Sequence, residues 1–111
     1  MEYTKKELND LHELAMTHAE EGFFLDRKKN KVKAIEKFVE AFKAEQTVAD
    51  YLINSKEDIS EIELSRSIIC ISCAALAKYA GYLSESKKYA DKVIEFNFDS
   101  YCIAQAKELL Q

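Results

Sequence analysis

Apolar and small residues return every three or four positions along most of this chain, and no segment alternates convincingly as a strand. Leu8, Leu11, Ala15, His18, Gly22 and Leu25 trace one such stripe, which predicts a first helix running to about Arg27. Thr4-Lys5-Lys6-Glu7 has the form of a capping box, with Thr4 accepting from the Glu7 amide and Glu7 reaching back. Asn30 can cap a second, long helix striped by Ala34, Ile35, Phe38, Ala41, Phe42, Val48, Ala49 and Leu52, ending near Asn54 and Ser55. Ser60-Glu61-Ile62-Glu63 repeats the capping form and opens a third helix. That helix is apolar almost all round from Ile68 to Ala77, the mark of the most buried element. Gly81 ends it, because glycine takes the left-handed cap conformation without penalty. Ser84 is expected to cap a fourth helix through Phe96, closed by Asn97, and Asp99 or Ser100 a short terminal one.

The stripes also repeat. Gly22, Leu25, Ala34, Phe38 and Ala41 are answered by Ala74, Ala77, Ser86, Ala90 and Val93, each 52 positions beyond its counterpart (74 against 22, and so on). Small residues recur where two helices must approach, and larger ones where a groove must be filled. The expected fold is therefore all-α: two antiparallel helical hairpins, about 4–55 and about 60–96, with a C-terminal capping helix over about 99–111. All five helices belong to one domain spanning the chain, a length that can bury a modest core.

Composition sharpens this picture. The absence of proline and the presence of only two glycines fit long helices and disfavour sheets joined by tight turns. Acidic residues outnumber basic ones, 20 to 16, so the net charge of −4 offers no general attraction to nucleic acid or to an acidic membrane. No apolar run approaches the ~18 residues of a membrane span, and the N-terminus lacks the apolar run of a signal peptide. Three cysteines make a poor disulfide framework and fit reduced thiols in a cytosol.

Ala74, Ala77, Gly81, Ser86, Ala90 and Val93 together resemble a tetratricopeptide repeat, and Gly22, Leu25, Ala34, Phe38 and Ala41 fit the same register. The chain departs from that family in its spacing of 52 rather than the usual ~34 residues. It also has His18 and Cys70 where a large residue is expected, and no proline closes either copy. Glu63-Leu64-Ser65-Arg66-Ser67-Ile68-Ile69, followed by Ala74-Ala75-Leu76-Ala77 and Gly81, is similar to a segment of small bacterial proteins of tetratricopeptide-like type. The resemblance covers roughly residues 15–95 and implies a scaffold for holding other proteins, without naming a partner.

Chemistry-bearing residues are sparse. Cys70-Ile71-Ser72-Cys73 is formally a C-x-x-C, but it begins well inside a helix among isoleucines and lacks a second pair to complete a zinc site. Core thiols are the better reading. His12 and His18 point about 120° apart on a helix and cannot share a metal, so both read as surface or packing residues. No glycine-rich phosphate loop, no nucleophile with a plausible histidine base, no pair of carboxylates in apolar surroundings and no Glu-x-x-His pair stands in the sequence, so neither catalysis nor a cofactor is expected. Arg27-Lys28-Lys29-Asn30-Lys31-Val32-Lys33 reads first as a solvated turn, its charges favourable at the end of the preceding helix. It could also hold a phosphate or an acidic peptide.

The inner face of each hairpin's first helix would line a groove. By register that face carries Met16, Ala19, Phe23, Asp26 and Arg27, then Ile68, Ile71, Ala75, Lys78 and Tyr79. An apolar floor with charged ends suits an amphipathic helix or an extended peptide. With no cap before Thr4, Leu8, Leu11, Phe42 and Leu52 are expected to form an exposed apolar strip, open to a second copy or to another protein. The expected function is non-catalytic protein binding, by a small cytosolic adaptor or an assembly subunit. The alternative is a nucleic-acid-associated factor using the basic cluster at 27–33.

Overall fold

The computed structural model describes residues 2–55, 66–97 and 100–111, and these residues form five α-helices with no strand. Helix α1 spans Lys5–Arg27, α2 Lys31–Asn54, α3 Arg66–Ala80, α4 Leu83–Phe96 and α5 Ser100–Leu109. The first capping box forms as expected: Glu7 N donates to Thr4 Oγ1 at 3.1 Å and Thr4 N to Glu7 Oε1 at 2.9 Å. The capping box expected at Ser60–Glu63 and the Asp99 cap lie outside the described residues, as do Glu63, Leu64 and Ser65 of the resembling segment.

Helix α1 stops where Lys29 enters the left-handed region (φ 62°), and Asn30 N closes the turn on Leu25 O at 2.9 Å. Asn30 then caps α2, its Oδ1 accepting from Lys33 N. So short a turn forces α1 and α2 antiparallel. Contacts along the hairpin run from Tyr3, just before α1, with Tyr51 at the open end, through His12–Glu45 and His18–Glu40, to Phe23–Phe38 beside the turn.

Helix α3 packs on α2 and α4, and α5 covers α3 and α4. Gly81, at φ 88°, supplies the left-handed turn between α3 and α4. Tyr82 N donates to Ala77 O there, at 2.8 Å. The cap of α4 differs from expectation. Tyr82, not Ser84, is the N-cap and makes no side-chain cap bond, because the glycine turn reverses the chain at once and Ser84 already lies in the first helical turn. Asn97 closes α4 with φ 53°.

The repeated small residues meet in the core. Ala74, Ala77 and Ala90 are fully buried and Ser86 nearly so, as close helix packing requires. Ala74→Leu should overpack this seam and lower stability by roughly 1–3 kcal/mol. Thermal melts check it; a variant melting with wild type would mean the seam has room to spare.

The expected exposed strip does not exist. Leu8, Phe42 and Leu52 are buried, and Leu11 packs partly buried against the same core. The reason is that α2 is a shared central helix, with α1 on one side and α3 on another, and Phe42 lies against Tyr82 and Tyr89 of the second hairpin. Among the described residues no helix is long and apolar enough to cross a membrane.

Candidate functional site

Gly22 and Phe38 are where the first hairpin makes room for a surface feature. A Cβ at Gly22 would stand 2.8 Å from the Phe38 ring, so the bare glycine lets that ring approach α1 closely. Phe38, 4% exposed, stacks on Tyr79 with centroids 5.1 Å apart and planes 24° from parallel. Phe23 meets both rings edge-on, at 5.0 Å from Phe38 and 5.1 Å from Tyr79. These distances are those of favourable aromatic pairs. Tyr79 nonetheless stays 52% exposed, and Phe23 is also open to solvent.

Beside the rings is a small concavity of about 140 Å³, with Ile35 on its wall and the opposite charges of Asp26 and Lys31 at its edge. Of the groove residues expected from register, Phe23, Asp26 and Tyr79 come together here. Arg27 and Lys78 are exposed but do not line the concavity, while Met16 and Ile71 are half-buried against the core. Ala19 is buried, Ala75 half-buried and Ile68 exposed. Phe38, Ile35 and Lys31 belong to the concavity although register did not assign them to it. They come from α2, the second helix of the hairpin, and show where that helix joins the wall.

A second polar feature lies inside the molecule. Glu45 is fully buried on α2, yet both its oxygens are bonded. Ser72 Oγ donates to Oε2 at 2.6 Å, and His12 Nδ1 lies 2.9 Å from each oxygen. The hydrogen bond to Glu45 raises the His12 pKa above the ordinary 6.5 against the opposing effect of burial, with the charges of Glu45 and Glu13 adding to it. Of the two readings, surface or packing, His12 is thus the packing one: half-buried, and paired with a buried carboxylate. The sequence signal was available: Glu45 interrupts the stripe Ala41, Phe42, Val48, Ala49, and a carboxylate there demands donors.

This arrangement does not activate a nucleophile. Serine and imidazole both donate to one carboxylate, so no imidazole nitrogen takes the serine proton. Nearby, Tyr89 donates to Asp50 at 2.6 Å, and burial together with that carboxylate raises its phenol pKa. Among the described residues no three His, Cys, Asp or Glu are grouped to hold a metal ion.

Cys70 and Cys73 are fully buried. Burial pushes the Cys70 thiol up to about 12, with Asp50 adding to it, and raises Cys73 further, with Glu45 adding there. Thiols held this high are protonated at neutral pH. Both should therefore resist a thiol reagent in native buffer and react on unfolding. Labelling of either in the native protein at the rate of a free thiol would contradict this burial.

The basic run from Arg27 to Lys33 occupies the exposed α1–α2 turn, where the Lys28 ammonium sits 5.6 Å from the centre of the Phe24 ring. His18, half-buried, places Nδ1 3.2 Å from Glu40 Oε2. Comparison of the chain with protein-family models, with characterised proteins and with solved structures returns no match.

Proposed function

We propose that this protein is a non-catalytic protein-binding module built on two tetratricopeptide-like hairpins, a small cytosolic adaptor or a subunit of a larger assembly. The observation that carries the reading is the half-open aromatic platform of Phe23 and Tyr79 over buried Phe38. Aromatic rings already held in place lose little freedom on binding, and such residues dominate the energetics of interfaces. The concavity beside them is the size of one or two side chains, and its charged edge can fix an entering segment through Asp26 and Lys31. A peptide carrying an apolar anchor flanked by charge fits best. The buried, protonated thiols suit a reducing compartment.

The test is affinity capture from the native cell, with bound proteins identified by mass spectrometry. Tyr79→Ser should release the captured partner, lowering its affinity by about thirtyfold, as expected for truncation of an aromatic anchor worth ~2 kcal/mol. Leu83→Ser, at an exposed position outside the platform, should leave capture intact. Equal capture by wild type and Tyr79→Ser would remove the platform from consideration.

A further inference from the structure

Helix α1 carries a second exposed surface, turned about 140° round the helix from Phe23. An outward strip of the helix carries Asp10, Leu14, Thr17, Glu21, Phe24 and Lys28, flanked on one side by Glu13 and Glu20, and all of these are exposed. Leu14 is 47% and Phe24 53% exposed, large values for apolar side chains on one strip. A shallow notch of about 360 Å³ between Glu20, Glu21, Phe24 and Leu25 adjoins it.

The order of these residues is self-complementary. A two-fold axis at the level of residue 19 relates Asp10 to Lys28, Leu14 to Phe24 and Thr17 to Glu21. Two copies of α1 laid antiparallel would set Asp10 against Lys28, Leu14 against Phe24, and the Thr17 hydroxyl against the Glu21 carboxylate. Each pairing occurs twice, as an isologous interface requires. We infer that the outer face of α1 is a homodimer interface, with a second copy of this chain as its occupant.

Size and charge set its strength. From Asp10 to Lys28 the strip is roughly 27 Å long, at ~1.5 Å per residue, and one helix wide. That is smaller than the ~800 Å² per partner of a standard stable interface, so association belongs in the micromolar range. Asp10 also bonds Lys6 at 2.8 Å, and Glu21 bonds Lys37 at 3.1 Å. Both are solvent-screened pairs that can be exchanged at little cost. Glu20 flanks the strip close to the axis and meets its own copy, which weakens the pairing further. The strip is separate from the Phe23–Tyr79 platform and does not depend on the function proposed for it.

Sedimentation equilibrium on the full chain at ~10–200 µM tests the proposal, at the protein range that a micromolar Kd requires. Wild type should show a monomer–dimer equilibrium. Asp10→Lys and Lys28→Glu each place like charges together at two symmetric points, and each should weaken self-association by about tenfold or more. Mixing the two single variants should restore it. The lysine introduced in one copy then faces the glutamate introduced in the other, and native Lys28 of the first faces native Asp10 of the second. Helical circular dichroism confirms that each variant is folded. A strictly monomeric wild type overturns the proposal. So does a pair of single variants that self-associate like wild type, or a mixture that fails to recover association.

Discussion

Glu45→Ala will lower stability by about 3–5 kcal/mol near pH 6, the cost of breaking a buried ion pair by removing one partner. In a chain of this size that corresponds to a fall in melting temperature of very roughly 15–30 °C. Three effects add. His12 loses the charge that holds its proton, Ser72 Oγ loses its acceptor, and the removed carboxylate leaves space where α1, α2 and α3 meet. The magnitude depends on pH. His12 has a folded pKa raised above 6.5, so its pairing stabilises the fold fully below about pH 6.5 and is lost as pH rises through the raised value. Wild type should therefore lose stability over that interval, and His12→Asn should lack this component. The comparison between the two isolates His12 from other titrating groups. A Glu45→Ala variant within about half a kcal/mol of wild type at pH 6 would show that the pair contributes nothing.

Replacing all three groups together sharpens the point. His12→Leu, Glu45→Met and Ser72→Ala leave neither a charge nor an orphaned donor, and such apolar replacements of buried ion pairs are often neutral or stabilising. A triple variant as stable as wild type would leave specificity of packing as what the network contributes. The register of α1 on α2 seen here, with α3 docked above, brings His12 and Ser72 to that carboxylate.

Local chemistry is legible in the sequence, and long-range placement is not. Thr4 with Glu7, Asn30, Gly81 and Asn97 are readable as helix ends because a cap is made by residues within three or four positions of one another. Tyr82 escapes such reading because its cap follows from the glycine turn before it and carries no side-chain signature. Leu8, Phe42 and Leu52 are misplaced by periodicity, which says that a face is apolar but not which neighbour covers it. Glu45 is the same difficulty in polar form, since its donors lie 33 and 27 residues away. The candidate site divides likewise: register finds Phe23 and Tyr79 on first helices, while Phe38, hidden beneath them on α2, needs the packing of three helices to appear.

Phe38→Ala will lower stability by about 3–5 kcal/mol, because a buried ring is lost and a cavity opens where Phe23 and Tyr79 rested on it. The same change should reverse the sign of a second one. With Phe38 in place, Gly22→Ala sets a methyl group 2.8 Å from a ring clamped by two others, so the ring must shift and the platform with it. That strain, roughly 1–3 kcal/mol, outweighs the ~1 kcal/mol that alanine contributes over glycine in a helix. With Phe38 removed the clash is gone and only the helical preference remains, so Gly22→Ala should then stabilise by up to about 1 kcal/mol. A double-mutant cycle from chemical denaturation reads the coupling directly, and residues in contact that share a cavity are where additivity fails. If Gly22→Ala has the same effect in both backgrounds, the glycine is not what seats the ring, and the aromatic platform rests on something other than this contact.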